Sequence, residues 1–331
     1  MIRSFINSLR QRKAPQLLQQ ELDTYKLAIL TTLRLYGPDS EQASALKQAG
    51  NEKRTEAHTE ALRANLGVQL GGLLDLASPP AEEQDREQWE QHAARQLNEK
   101  VGFTLQVRPS TVEGAGLGVF VKGETAPGTV VTLWPGLVYP ANSLQRLPGF
   151  PNPQLSNDHL VARYDGTVID AQPVSIVTGG VNDPALARLG WNPLAVAHRV
   201  NHPPVGTQPN LLNTAVDFSP ALEKTAPNLA FDYRTARPAD PSGRGGQKAA
   251  AAPPLRGLAM VTIAPLRDGD ELFVAYRFNP QHPSPSWYTD EFCIENDEFC
   301  IENDEFCIEN DEFGRYTDVD AEESARRWTP L

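Results

Sequence analysis

Apolar residues recur at steps of three or four along the chain as far as Lys100, and at steps of two after it. The pattern therefore predicts helices first and strands second. Leu18, Leu22, Tyr25, Ile29, Leu33 and Tyr36 would share one helical face. Pro15 suits the first turn of that helix, and Gly37-Pro38 suits its end. A second helical stretch runs from about Ser40 to Leu76, with a break expected near Gly67 or Gly71. Residues 75–83 (DLASPPAEE) read as a loop, and Asp85 to Lys100 as a further, polar helix. Residues 15–100 thus form a helical region that packs on, or projects from, the strand-rich remainder of the chain.

From Val101 the texture changes to Val, Thr, Leu and aromatics punctuated by Gly and Pro, which predicts short strands and turns. Phe103, Leu105 and Val107 alternate, as do Val119 and Val121. Ala126-Pro127-Gly128 is a turn between strands, and Asp165-Gly166 is a hairpin signal followed by a short strand. Leu258 to Ile263 is another strand. Pro148 to Asn157 and Val177 to Asn192 read as long loops. Residues 235–254, dominated by Pro, Gly and Ala, read as a disordered insertion without chemistry of its own.

Composition changes this picture mainly at the C-terminus. Of a net charge of −12, the stretch 290–313 carries eleven acids and no base, so without it the chain stands at −1. A nearly neutral body predicts no direct nucleic-acid contact. All three cysteines lie in that same stretch, where CIENDEF occurs three times between Cys293 and Phe313. Phe, Cys and Ile are contiguous there, so the spacing is wrong for a coiled coil, and sevenfold cysteine spacing matches no zinc pattern. The segment reads as a solvated acidic tail, transiently helical at most, and no metal is expected. The body is left without a disulfide framework or a zinc cluster, which fits an intracellular protein in nucleus or cytoplasm. Residues 1–14 are basic, with Ile2, Phe5, Ile6 and Leu9 on one helical face. They fit either a mitochondrial transit peptide or a basic helix that stays attached. No apolar run is long enough to span a bilayer, and a monomer without membrane contact is expected.

Four pieces carry candidate chemistry. They are Gly116-Leu117-Gly118 before a strand, Asn201-His202 and Pro209-Asn210 around a Pro/Gly-rich loop, Gly269-Asp270-Glu271-Leu272 after a turn, and Tyr276. Taken singly each has a plain structural reading: a tight strand connection, a buried histidine, a β turn, a half-buried strand tyrosine. In this order they resemble the SET-domain lysine methyltransferases, whose pattern is Gly-x-Gly, then Asn-His-Ser-Cys-x-Pro-Asn, then Gly-Glu-Glu-Leu and a tyrosine. GLGVFVKGETAPGTVV and WNPLAVAHRVNHPP look nearest to the group called SET domain-containing protein 9. The resemblance covers about residues 101–278.

It implies an α+β chain: a helical region, then a SET-type β fold of small sheets with a threaded C-terminal strand. With the patterns read above, the chain divides into a basic segment 1–14, a helical region 15–100, a SET-like domain 101–280 and an acidic tail 281–331. The implied cofactor is S-adenosyl-L-methionine, held by Gly116, Leu117, Gly118, Asn201, His202 and Tyr276. Tyr276 is the implied catalytic residue, and the implied partner is a protein lysine side chain. Trp134, Tyr139, Phe273 and Trp287 are candidates for tunnel walls or for stacking on adenine. Several residues depart from the pattern. Pro203-Pro204 replaces Ser-Cys, and three extra residues separate Asn201 from Asn210. His198 stands where Arg is usual, Ala275 stands for Asp, and the closing cysteine-rich segment is missing, with Trp287 a stand-in for it. The departures keep a second reading open, a non-catalytic SET-fold module that binds a protein partner.

Overall fold

The structure is a computed structural model that describes residues 15–48, 54–77, 86–140, 159–172, 193–218, 230–232, 255–277, 287–288, 299–300 and 307–308. The basic segment 1–14, the two long loops, the low-complexity insertion and most of the tail lie outside the described residues.

Four helices come first: α1 (Pro15–Tyr36), α2 (Glu41–Gln48), α3 (Arg54–Ala77) and α4 (Arg86–Val101). Gly37, at φ 83, stops α1 where the Gly-Pro pair predicts. The break expected at Gly67 or Gly71 is not there, because α3 runs unbroken through both. Leu62, Leu66, Leu70, Leu73 and Leu74 give α3 one continuous buried face. Each buried Leu is worth about 1.5–3 kcal/mol, against about 1 kcal/mol for a mid-helix Gly. The helices pack on the sheets and share one hydrophobic cluster with them, in which Leu27, Leu66 and Leu97 meet Val119, Val131 and Leu272. Polar ties reinforce the seam. The Gln69 amide donates to the Gly128 carbonyl (2.8 Å) and accepts from the Val130 N–H (2.9 Å). Gly128 is required there, since a Cβ would stand 2.2 Å from the Leu30 carbonyl of α1.

The remainder is small sheets, mostly antiparallel, so the chain is α+β. β1 (Phe103–Pro109) pairs with β2 (Leu117–Gly123) from Phe103↔Gly123 to Pro109↔Leu117. β3 (Val130–Leu133), β9 (Leu255–Thr262) and β7 (Leu211–Phe218) form a second sheet with β9 central. β5 (Leu160–Ala162), β6 (Val168–Asp170), β4 (Gly136–Tyr139) and β8 (Ala230–Asp232) form a third, where only β4 and β8 run parallel. The turns fall at 126–128 and at Asp165-Gly166 as the sequence predicts. The alternation of β1 and β2 translates less simply. Val107 is exposed, whereas Gly118, Val119, Phe120 and Val121 are all buried. β2 is covered on both faces: Val119 and Val121 face the core cluster and Arg108 lies over the Phe120 ring, while a further segment pairs with its free edge. In the tail, β10 (Phe299–Cys300) pairs antiparallel with β11 (Cys307–Ile308), so these described residues are extended rather than helical.

Candidate functional site

That further segment is 269–276, and it is the axis of the site. Asp268 and Gly269 make the turn that starts it: the Arg267 N–H bonds the Asp270 carboxylate (2.8 Å), and Gly269 sits at φ 89. The chain then pairs antiparallel with β2. Gly269 N–H donates to Val121 O (2.8 Å), Val121 N–H to Asp270 O (2.9 Å) and Leu272 N–H to Val119 O (2.8 Å). On its other edge it meets both ends of the Asn-His box. Val274 N–H donates to Asn201 O (3.0 Å), and the Asn210 and Leu211 N–H groups both donate to Phe273 O (3.2 and 3.0 Å). Two stretches far apart in sequence are thus neighbours.

The box's two asparagines do different work. Asn210 behaves as an extra backbone unit. Its side-chain amide donates to Glu271 O (2.8 Å) and accepts from the Phe273 N–H (2.8 Å). Asn201 reaches across the segment: its Nδ2 lies 3.0 Å from Leu117 O, 3.1 Å from Ser110 Oγ and 3.3 Å from Glu271 Oε1. The three added residues do not separate the asparagines. They form an outward turn at 204–207, closed by Thr207 N–H to Pro204 O (2.9 Å), with Gly206 at φ 79 and Val205 exposed.

Glu271 is the centre of this polar side. Its buried carboxylate accepts from Ser110 Oγ (2.6 Å), the Thr111 N–H (2.7 Å), the Thr111 hydroxyl and Asn201. Burial acts to raise its pKa, but the Ser110, Thr111 and Asn201 donors outweigh that and hold it below the ordinary value of 4.5. This explains Gly118. A Cβ there would stand 2.1 Å from Glu271 Oε1 and 3.3 Å from Asn201 Nδ2. Gly118 therefore clears space for the chain's own carboxylate rather than for a ligand. Gly116 differs: it needs glycine for its φ of 73, and a Cβ on it would meet nothing within 4 Å. With Leu117 43% exposed, the backbone at 116–117 is open to an approaching group.

The other side of the segment is aromatic. The Tyr276 N–H lies 3.3 Å from Nδ1 of buried His202, and the Tyr276 hydroxyl donates to Val200 O (3.0 Å). The His202 ring centroid stands 5.6 Å from that of Tyr276, 6.2 Å from Trp287 and 4.8 Å from Tyr288. Trp287 stands edge-on to Tyr276 at 6.1 Å. The other aromatic candidates sit elsewhere: Tyr139 is a core residue of β4, Phe273 is buried in the central segment, and Trp134 packs against the hydrophobic core. Ala275, in place of Asp, is buried. His198, in place of Arg, has both ring nitrogens buried without a hydrogen-bond partner among the described residues, and its ring stands edge-on to His159 at 5.9 Å. Burial, Arg199 and His159 lower its pKa to about 3, so it is neutral at physiological pH.

Among the described residues no group of three or more His, Cys, Asp or Glu side chains could hold a metal, and no helix is long and apolar enough to cross a membrane. No family model matches the chain, and no curated protein matches it. Among solved structures, a crystal structure of CpSET8 from Cryptosporidium matches with a TM-score of 0.30 and 11% identity, covering 79% of this chain and 95% of that one. A likeness of that size assigns neither fold nor function.

Three groups at the site escaped sequence reasoning. Glu271 is legible only as part of a turn motif; its partners Ser110 and Thr111 lie some 160 residues away, and nothing in the sequence links them. Asp23 of α1 forms a two-pronged ion pair with Arg277, the residue after Tyr276. Tyr164, in the β5–β6 turn, places its hydroxyl 3.3 Å from the same guanidinium.

Proposed function

We propose that this protein is an S-adenosyl-L-methionine-dependent protein-lysine methyltransferase of the SET type. One observation supports the reading: the Asn-His box touches the Gly116-Leu117-Gly118 loop through Asn201 and touches Tyr276 through His202. On this reading 271–276 is the threaded C-terminal strand. The assignment stops at the SET class, since nothing beyond sequence texture favours the group of SET domain-containing protein 9.

The open backbone at Gly116 and Leu117, together with His202, would hold the cofactor, whose sulfonium supplies an electrophilic methyl group. Asn201 would act differently from expectation. Its amide is committed to Leu117 O, Ser110 and Glu271, so it shapes the loop that receives the ligand. Tyr276 suits the substrate side. Its hydroxyl donates to Val200, so toward an incoming amine its oxygen acts as acceptor and turns the nitrogen lone pair to the methyl carbon. A lysine amine, with a pKa of about 10.4 in water, is mostly protonated at neutral pH. Exclusion of water around the bound amine would disfavour the charged form and so raise the fraction of neutral nucleophile. Tyr276 would hold the neutral amine toward the methyl group that the cofactor would supply, and the product ammonium would lose its proton to water. Alignment of the reacting atoms supplies much of the rate.

Titration of the full chain with S-adenosyl-L-methionine by calorimetry, repeated on Asn201→Ala, tests the binding half. Absence of binding by the wild type defeats the enzyme reading. A radiolabelled methyl assay on a protein lysate, with Tyr276→Phe as control, tests the chemical half. A second reading, a non-catalytic module that binds a protein partner, is favoured by the filled space at Gly118 and by the Asn201 Nδ2 group already engaged by Leu117, Ser110 and Glu271. It predicts no methyl incorporation.

A further inference from the structure

Arg277 is the one non-glycine residue at positive φ among the described residues, at 50°. That conformation is uncommon for a long side chain and persists only where surroundings hold it. Its guanidinium forks onto the Asp23 carboxylate at 2.5 and 3.2 Å. Asp23 is 7% exposed and is steadied by the Gln19 amide one helical turn earlier (2.9 Å). Nη1 of Arg277 also lies 3.3 Å from the Tyr164 hydroxyl. Two separate parts of the chain therefore hold the residue directly after Tyr276: helix α1 and the β5–β6 turn. A planar guanidinium held at two points fixes orientation as well as distance, which a single contact would not. The peptide between Tyr276 and Arg277 has little freedom left. The Tyr276 N–H is held on His202 and its hydroxyl on Val200.

We propose that Asp23 is a positioning residue, by which helix α1, through the Arg277 guanidinium, sets the backbone that aims the Tyr276 side chain. This rests on the reading of Tyr276 as the catalytic tyrosine. The helical region would then be part of the methyl-transfer machinery rather than an appendage to it.

The test uses the full chain with Asp23→Asn, which keeps shape and removes charge, and Asp23→Glu as the conservative variant. The readouts are hydrogen exchange over a peptide spanning 272–277, calorimetry with S-adenosyl-L-methionine, and methyl transfer. Expected for Asp23→Asn is exchange over 272–277 faster by about tenfold, with β7 and β9 amides unchanged. Turnover falls by about 10- to 100-fold while cofactor affinity stays within about twofold, and Asp23→Glu recovers part of the turnover. Unchanged exchange and turnover overturn the proposal, and so does exchange that rises equally across β7 and β9. Failure of the wild type to bind cofactor defeats the enzyme reading instead; the exchange result then decides alone whether α1 orders the Tyr276 backbone. If Asp23→Asn does not fold, Arg277→Lys, which keeps the charge and loses the fork, is read by the same outcomes.

Discussion

The two sides of segment 271–276 show opposite designs. On one side Glu271 is buried in donors from Ser110, Thr111 and Asn201, and the space at Gly118 is full. On the other, Tyr276 and Trp287 remain 37% and 57% exposed around a buried His202. A satisfied buried carboxylate fixes geometry and has nothing left to offer a ligand. Half-exposed aromatics are anchored at one end and available at the other. The polar side is therefore a brace, and under the proposed function the aromatic side would be the working face, although the sequence motif draws its residues from both.

The brace gives the largest expected effect. Gly118→Ala drives a Cβ into Glu271 Oε1, at 2.1 Å, and into its Cδ, at 2.9 Å. The carboxylate must leave its donors, and urea unfolding should show a loss of about 3 kcal/mol. Gly116→Ala meets no atom and strains only a φ of 73, so it should cost about 1–2 kcal/mol. Equal losses at the two glycines would erase the distinction between a filled and an open loop position.

Glu271→Gln keeps the shape and removes the charge, and should cost about 1.5–3 kcal/mol at neutral pH. Its pH signature is specific. The folded carboxyl ionises below the ordinary 4.5, so its stabilisation is complete above 4.5 and is lost as pH falls through the folded value. His198 acts in a neighbouring window. Its folded value is about 3 against 6.5 unfolded, so the unfolded chain takes up the proton first. Stability contributed by the neutral ring falls as pH drops from 6.5 toward 3. Stability curves for wild type, Glu271→Gln and His198→Phe should separate the two. The His198 variant flattens the slope between 6.5 and 4.5, and the Glu271 variant flattens it only below 4.5. A Glu271→Gln difference that already changes between about 6.5 and 5.5 would contradict the donor-rich pocket.

Local signals were legible in the sequence and long-range ones were not. The end of α1 at Gly37, the turns at 126–128 and at Asp165-Gly166, and most of the strand Leu255–Thr262, expected at 258–263, follow from nearest-neighbour chemistry. Gly67 and Gly71 misled, because helix propensity is weak beside the burial of the continuous leucine face of the same helix. The meeting of Asn201, His202 and Tyr276 was legible only through motif order. The reason for Gly118 was not, since it depends on where a side chain 153 positions later comes to rest. Asp23 and Arg277 are 254 positions apart, and no periodicity or turn chemistry connects them.

Tyr276→Phe should have the smallest effect on stability and is the sharpest test of the working face. The lost group is one hydroxyl on one backbone carbonyl, at 3.0 Å, on a residue 37% exposed. The cost should be that of one neutral hydrogen bond, about 0.5–1.5 kcal/mol. The ring remains to stack near Trp287 and to cover His202, so cofactor binding should be preserved. The oxygen that would orient the amine is gone, and methyl transfer should fall by about 100-fold. Urea unfolding and single-turnover methyl transfer on the same preparation make the comparison. A variant that loses stability as Glu271→Gln does, with transfer falling only in proportion to the folded fraction, would place Tyr276 in the brace and leave the aromatic side without a chemical role.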